Sequence, residues 1–115
     1  LADLELLRRE GGAIWFQKIQ QVAIRGTPDL ILGLAGLLLA MELKTGSGVT
    51  SRLQEHTLTK IRNAKCLALV VKPIDWSYVY LKIRAVALDP PGTYSPLQIE
   101  RMFAPYLIEF VLNNG

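Results

Sequence analysis

Three ionisable residues stand at the ends of two apolar runs within residues 26–44. Asp29 precedes the first run, and Glu42 and Lys44 close the second. A buried strand rarely carries charge unless that charge is paired, bound to a metal or used in chemistry. Two carboxylates and an ammonium group can together hold a hard divalent cation beside a phosphate. These residue types make the stretch the first candidate for a functional site.

The two apolar runs predict a β-hairpin. Its turn is residues 33–36, and taking either the inner two residues or all four as the loop pairs Asp29 with Ala40. Because side chains alternate between the two faces of a strand, Ala40, Glu42 and Lys44 share one face, and Asp29 shares it with them. In this register Asp29 and Glu42 are diagonal neighbours whose backbones lie about 7–8 Å apart. Their carboxylates can then converge on one ion.

The segments around the hairpin predict an α/β fold with a central mixed β-sheet flanked by helices. In chain order they are a helix over 2–9, a strand over 13–19, a connection over 20–25, the hairpin, a loop over 45–50, a helix over 51–64 and a strand over 66–71. Thr50 or Ser51 can cap the second helix. Gln54, in its first turn, faces the sheet. The strand-helix-strand crossover makes the last strand a parallel partner of the hairpin.

The sequence of the C-terminal third predicts secondary structure less clearly. Residues 76–83 fit a helix, but residues 78–85 also alternate like a strand, and the pattern leaves both interpretations open. After a proline and glycine break, a capping-box spacing at Ser95 predicts a terminal helix over about 96–113, kinked at Pro105. Its broad apolar face is either packed on the domain or shared with a partner chain.

The candidate residues have a common chemistry. Asp29 and Glu42 offer the oxygen ligands that Mg²⁺ or Mn²⁺ prefers, and such an ion can activate a water and stabilise charge on a phosphate. Lys44 points at the same spot, where it can orient the water or balance the charge of the phosphorane. Gln54 can fix a water or a phosphate oxygen near a helix N-terminus, which itself favours anions. These groups indicate metal-assisted hydrolysis of a phosphodiester.

The same residues resemble the core of the PD-(D/E)XK nucleases, and more closely the virus-type replication-repair (VRR-NUC) nucleases. The resemblance covers roughly residues 10–72. It rests on Gly-Thr-Pro-Asp at 26–29, Glu-Leu-Lys at 42–44, Gln54, the paired glycines Gly11 and Gly12, and Lys18. The resemblance implies a restriction-endonuclease-like core. It also implies a single nuclease-like domain over 1–115, with its core at about 1–72 and a C-terminal extension.

The resemblance further implies a role for each motif residue. Asp29 and Glu42 would bind the metal, with the backbone carbonyl of Leu43 as a further ligand. Lys44 would be the catalytic lysine, and Gln54 the supporting polar residue.

One part of the family pattern is not matched. The family also uses an acidic residue in its first helix, typically further ahead of the paired glycines than either Glu5 or Glu10 stands here. Glu5 is the better of these two candidates, and neither is assigned the role.

Composition and charge limit the classes of protein to which this chain can belong. The chain has 115 residues, half of them hydrophobic, which suits one globular domain. Its net charge of +3 is unevenly distributed, with ten Lys and Arg against six Asp and Glu through Lys72. That basic half contains the charged hairpin and suits a polyanionic substrate. A single cysteine excludes an intramolecular disulfide. With no signal peptide and no membrane-length apolar run, we expect an intracellular, cytoplasmic protein.

The sequence thus predicts a divalent-metal-dependent DNA endonuclease. The resemblance implies branched or replication-repair DNA such as Holliday junctions as substrate, a homodimer, and a phage-encoded protein in a bacterial host. Two other functions stay open: a non-catalytic nucleic-acid-binding module on a nuclease-like fold, and an assembly subunit that docks through its C-terminal helix. The simplest alternative for the motif itself is that Asp29 caps a turn, while Glu42 and Lys44 are surface charges at a strand end.

Overall fold

A four-stranded mixed sheet forms the centre of the protein. The structure is a computed structural model, and it describes residues 1–19, 26–44 and 50–114. The strands are β1 (Ile14–Lys18), β2 (Leu30–Leu34), β3 (Leu37–Leu43) and β4 (Leu67–Val71). They lie in the order β1-β2-β3-β4, in which β2 is antiparallel to both β1 and β3, and β4 is parallel to β3. The predicted α/β class and mixed sheet are confirmed.

Within the described residues, five helices flank this sheet. They are α1 (Ala2–Arg9), α2 (Arg52–Asn63), α3 (Trp76–Leu88), α4 (Pro96–Met102) and α5 (Ile108–Asn114). Short 3₁₀ turns at Pro73–Asp75 and Ala104–Tyr106 lead into α3 and α5. The connection predicted for residues 20–25 lies outside the described residues, and so do residues 45–49 of the loop predicted for residues 45–50. Across the described ranges, no helix is long and apolar enough to cross a membrane.

The hairpin register differs from the predicted one by two residues. Leu34 pairs with Leu37 and Leu30 with Met41, so the predicted pairing of Asp29 with Ala40 is wrong. The turn consists of Ala35 and Gly36, whose φ angles are +49° and +88°. Positive φ at both central residues is the signature of the two-residue turn that matches the twist of paired strands. A shift of two residues preserves the alternation of faces, so the face predicted for Asp29 and Glu42 is unchanged.

The two faces of the sheet pack against different helices. One face forms the larger core, where β2, β3 and β4 meet α1 and α3. The other face carries Ala40 of β3 and Ala68 and Val70 of β4, which pack against Leu58 of α2 and Ile108 of α5. Every residue of β4 is therefore buried, as its continuous apolar run predicted. The second face, under α2, is the face of Glu42.

The C-terminal third is helical. Val79, Ile83 and Val86 are buried at helical spacing, which settles the ambiguity over residues 76–85 in favour of α3. The single kinked helix predicted for 96–113 is instead two helices, because Pro105 lacks the N–H that a continuous helix needs.

The side chain of Arg62 links α4 and α5 to α2. Arg62 forms ion pairs with Glu100 of α4 and Glu109 of α5, the latter at 2.8 Å. Ile99, Phe103 and other apolar residues of this region are buried against the domain. Most of the predicted apolar face is thus packed inside the protein, and α5 helps α2 to cover the face of Glu42.

Candidate active site

The ends of β2 and β3 bring Asp29 and Glu42 together. Asp29 directly precedes β2, and continuing the observed register by one position sets it opposite Glu42. The backbone N–H of Leu43 donates to Asp29 Oδ2 at 2.8 Å, which fixes the Asp29 side chain to the end of β3. The Ile19 N–H donates to the Asp29 carbonyl at 2.8 Å, so the aspartate backbone is also held from the β1 side.

Gln54 joins the carboxylate of Glu42 to the ammonium group of Lys44. Its Nε2 donates to Glu42 Oε1 at 2.7 Å, and its Oε1 accepts from Lys44 Nζ at 2.7 Å. The Lys44 Nζ lies 3.6 Å from Glu42 Oε1, and only 12% of the lysine side chain is exposed. Three of the four predicted catalytic side chains thus form one connected group. The fourth, Asp29, is attached through the neighbouring Leu43 N–H.

A capping box holds Gln54 in this position. Ser51 is the N-cap of α2, and its hydroxyl accepts from the Gln54 N–H at 3.2 Å. In return, Gln54 Oε1 accepts from the Ser51 N–H at 2.9 Å. The Ser-x-x-Gln spacing at 51–54 is a known signature of a helix N-terminus, so the capping role of Gln54 could have been predicted from the sequence. Only the direction of Gln54 toward the sheet was predicted.

Close contact between the Asp29 loop and α2 depends on Gly26. Its φ is +82°, and a Cβ added there would lie 2.7 Å from Leu53 Cγ and 2.9 Å from the Leu53 carbonyl oxygen. Such distances leave no room for a side chain, and the left-handed backbone favours glycine. The first residue of the Gly-Thr-Pro-Asp motif therefore lets the loop reach the turn of α2 that carries Gln54.

Glu42 is buried with one unused oxygen. The residue is 3% exposed, and its Oε2 has no hydrogen-bond partner within the described ranges. The pKa of the Glu42 carboxyl is raised from 4.5 to about 7. Burial is the main cause and the nearby Asp29 carboxylate adds to it, while the Lys44 ammonium acts in the opposite direction. A buried carboxylate oxygen without a partner, next to a second carboxylate, would be stabilised by a bound cation or by a proton.

The donor set fits a hard divalent cation. Asp29 and Glu42 supply carboxylate oxygens, and Mg²⁺ is commonly held by one or two carboxylates together with waters and substrate phosphates. In the part of the chain that the structure describes, no group of three or more His, Cys, Asp or Glu side chains could hold a metal ion. The protein would thus leave most ligand positions to water and phosphate. The Leu43 carbonyl stays a predicted ligand.

Three other residues of the predicted pattern lie elsewhere. Glu5 pairs with Arg8 on the surface of α1, and Glu10 pairs with Arg84 of α3 at 3.3 Å. Lys18 pairs with Leu30 in the sheet, so its side chain is on the face opposite that of Asp29 and Glu42. The structure brings none of them to the Asp29–Glu42 group.

Comparison of the chain with protein-family models and with curated proteins finds no match. The class of the site therefore rests on its own geometry: two adjacent carboxylates, one of them buried and incompletely bonded, beside a lysine held by an amide.

Proposed function

We propose that this protein is a divalent-metal-dependent DNA endonuclease built on a restriction-endonuclease-like core. The observation that carries the proposal is the buried Oε2 of Glu42, without a hydrogen-bond partner among the described residues and next to Asp29. An isolated buried carboxylate is costly, and a bound cation would remove that cost. The simplest structural alternative, surface charges at a strand end, predicts exposure, whereas Glu42 is 3% exposed.

Each residue has a distinct task in this proposal. Asp29 and Glu42 hold the ion, and the Leu43 backbone positions Asp29 through its N–H. When bound, Mg²⁺ or Mn²⁺ supplies activation of water and charge neutralisation at the phosphate. Lys44 donates to the attacking water or to a nonbridging phosphate oxygen, where negative charge grows as water adds to phosphorus. Gln54 positions Lys44, because the amide bonds to it at 2.7 Å.

The charge distribution favours a polyanionic substrate. Arg52 and Lys60 are exposed on α2, the helix that carries Gln54. Cations on this helix would attract a DNA backbone toward the carboxylate pair. The choice of branched or replication-repair DNA such as Holliday junctions, and of a homodimer as the active form, comes from the family resemblance and is part of the same proposal.

Incubation with linear, flapped and four-way DNA tests this function. We expect cleavage with Mg²⁺ or Mn²⁺, none with EDTA, and loss of cleavage in Asp29→Ala with the circular dichroism spectrum unchanged. Cleavage by Asp29→Ala at the wild-type rate would remove the assignment. DNA binding in EDTA without any cleavage under metal would instead favour a non-catalytic binding module.

A further inference from the structure

A cavity opens on the other side of the strand end that carries the candidate site. Its volume is about 360 Å³, and it lies between α1, the ends of β3 and β4 and the start of α3. Leu43 and Lys44 line it, and these are the residues that hold Asp29 and contact Gln54. The carboxyl ends of neighbouring parallel strands are a common place for ligands in α/β sheets. The cavity and the candidate active site thus share one piece of backbone.

The floor of the cavity is apolar and rigid. Leu4, Leu30 and Val71 line it, and each is at most 2% exposed because it also belongs to the central core. One wall is Trp76, whose indole is half-buried. The Trp76 Nε1 donates to Asp3 Oδ2 at 2.9 Å, and its ring lies 6.1 Å from that of Tyr80. These contacts fix the orientation of the indole, so it offers a prepared aromatic surface.

Among the described residues that line the cavity, Lys72 carries the exposed charge, and that charge is positive. Lys44 also lines the cavity, but its ammonium group bonds to Gln54 and lies 3.6 Å from Glu42 on the other face of the sheet. Lys72 is exposed and forms no ion pair with any residue that the structure describes. Asp3, beside the Trp76 wall, is engaged by the indole N–H of Trp76. An apolar floor, an aromatic wall and an exposed lysine at the rim suit a flat aromatic group that carries phosphate.

We infer that this cavity binds the unpaired base of the nucleotide next to the cleaved phosphate. The inference rests on the proposed function, because Leu43 and Lys44 join the cavity to the site that would hold the cleaved phosphate. A volume of about 360 Å³ lies at the small end of the range for ligand pockets, which suits one base better than a base pair. Stacking on an aromatic side chain accepts any base, because every base has a π-face.

This assignment gives a physical reason for a preference among DNA structures. A base inside a duplex cannot enter a pocket unless it leaves the stack, which costs free energy. A base that is already unpaired, in a flap or at a branch, avoids that cost. The cavity therefore selects DNA with an unpaired nucleotide beside the cut.

Tryptophan fluorescence tests the cavity without any cleavage. The chain has two tryptophans, so Trp15→Phe leaves Trp76 as the only reporter, and Trp76→Leu leaves Trp15. We expect thymidine 5′-monophosphate to change the emission of Trp15→Phe saturably, while 2-deoxyribose 5-phosphate does not. The emission of Trp76→Leu should stay constant. Equal responses to the nucleotide and to the abasic sugar phosphate would overturn the inference.

A second measurement changes the substrate and leaves the protein intact. Once the cut in flapped DNA is mapped, the unpaired nucleotide beside it is replaced by an abasic residue. Stacking of one base is worth about 1–3 kcal/mol, so cleavage should slow by a factor between about 5 and 150. Unchanged cleavage of the abasic flap would overturn the cavity assignment and leave the nuclease intact. A Trp76 response with no cleavage of any DNA would instead support the cavity and contradict the nuclease.

Discussion

At the scale of single residues, Glu42 carries the strongest sign of function. A glutamate that is 3% exposed, with one oxygen bonded to Gln54 and the other without a partner among the described residues, is costly when ionised. Proteins tolerate such costs where the group has a task that a neutral side chain cannot perform. The pKa of about 7 means that a modest change of pH, or a cation, decides whether Glu42 is charged.

The raised pKa predicts how stability depends on pH. The pKa of Glu42 is higher in the folded protein than the value of 4.5 expected in the unfolded chain. Between pH 4.5 and 7 the folded state therefore binds a proton on Glu42 that the unfolded state has lost. The free energy of unfolding falls as the pH rises through this range. The 2.5-unit difference corresponds to a fall on the order of 3 kcal/mol. Glu42→Gln should remove this fall and be more stable than the wild type at pH 8 without metal. Urea unfolding at pH 5 and pH 8 measures it.

The control for this comparison is Asp75→Asn, a carboxylate outside the site whose side chain makes no capping bond. It should keep the pH dependence of the wild type. If Glu42→Gln loses stability between pH 5 and pH 8 as steeply as the wild type does, then burial of Glu42 does not raise its pKa in solution.

At the scale of elements, the start of α2 is what places Gln54. The described part of the chain contains two capping boxes, at Ser51–Gln54 and Ser95–Gln98, with nearly the same geometry. Only the first also bonds to Glu42 and Lys44. The pair allows the stabilising role of a cap to be separated from its role in the site.

Ser51→Ala and Ser95→Ala should both lower the free energy of unfolding by about 1 kcal/mol, because each removes one N-cap hydrogen bond. Only Ser51→Ala should also slow DNA cleavage, by severalfold, since it frees the backbone that orients Gln54. Equal cleavage rates for the two variants, at equal loss of stability, would show that the cap does not position the site.

Two glycine variants test the close approach of the Asp29 loop to α2. Gly26 and Gly92 have φ angles of +82° and +85°, but only Gly26 has a neighbour in the way of a Cβ. Gly92→Ala should therefore cost only backbone strain, about 1 kcal/mol. Gly26→Ala should cost more and reduce cleavage, because Leu53 and the loop must separate. Similar stability and cleavage in both variants would mean that the contact has no part in positioning Asp29.

At the scale of the whole molecule, the sequence predicted the elements better than their exact pairing. Strand periodicity and the parity of Asp29 and Glu42 were readable because alternation of faces is a local property. The register was not, since it depends on Ala35, a non-glycine residue that adopts positive φ in the turn. The helix at 76–88 was ambiguous because the choice between helix and strand depended on what α3 packs against.

The bonds of the site were only partly predictable for the same reason. A polar Gln54 facing the sheet follows from helical spacing. Its simultaneous contacts with Glu42, Lys44 and Ser51 require the relative placement of β3 and α2, which no local pattern contains. The cavity beside Trp76 likewise forms from residues of α1, β2, β3, β4 and α3. Charge, burial and periodicity predict the members of a site, and tertiary packing decides how they meet.

The most direct test of the account is the rate of cleavage of flapped and four-way DNA by Lys44→Ala, measured under single-turnover conditions with Mg²⁺. Lys82→Ala, which removes a lysine from α3 on the other side of the sheet, is the matched control. We expect Lys44→Ala to cut about 10²–10⁴ times more slowly than the wild type, while Lys82→Ala cuts at the wild-type rate. Equal metal-dependent rates for Lys44→Ala, Lys82→Ala and the wild type would contradict it.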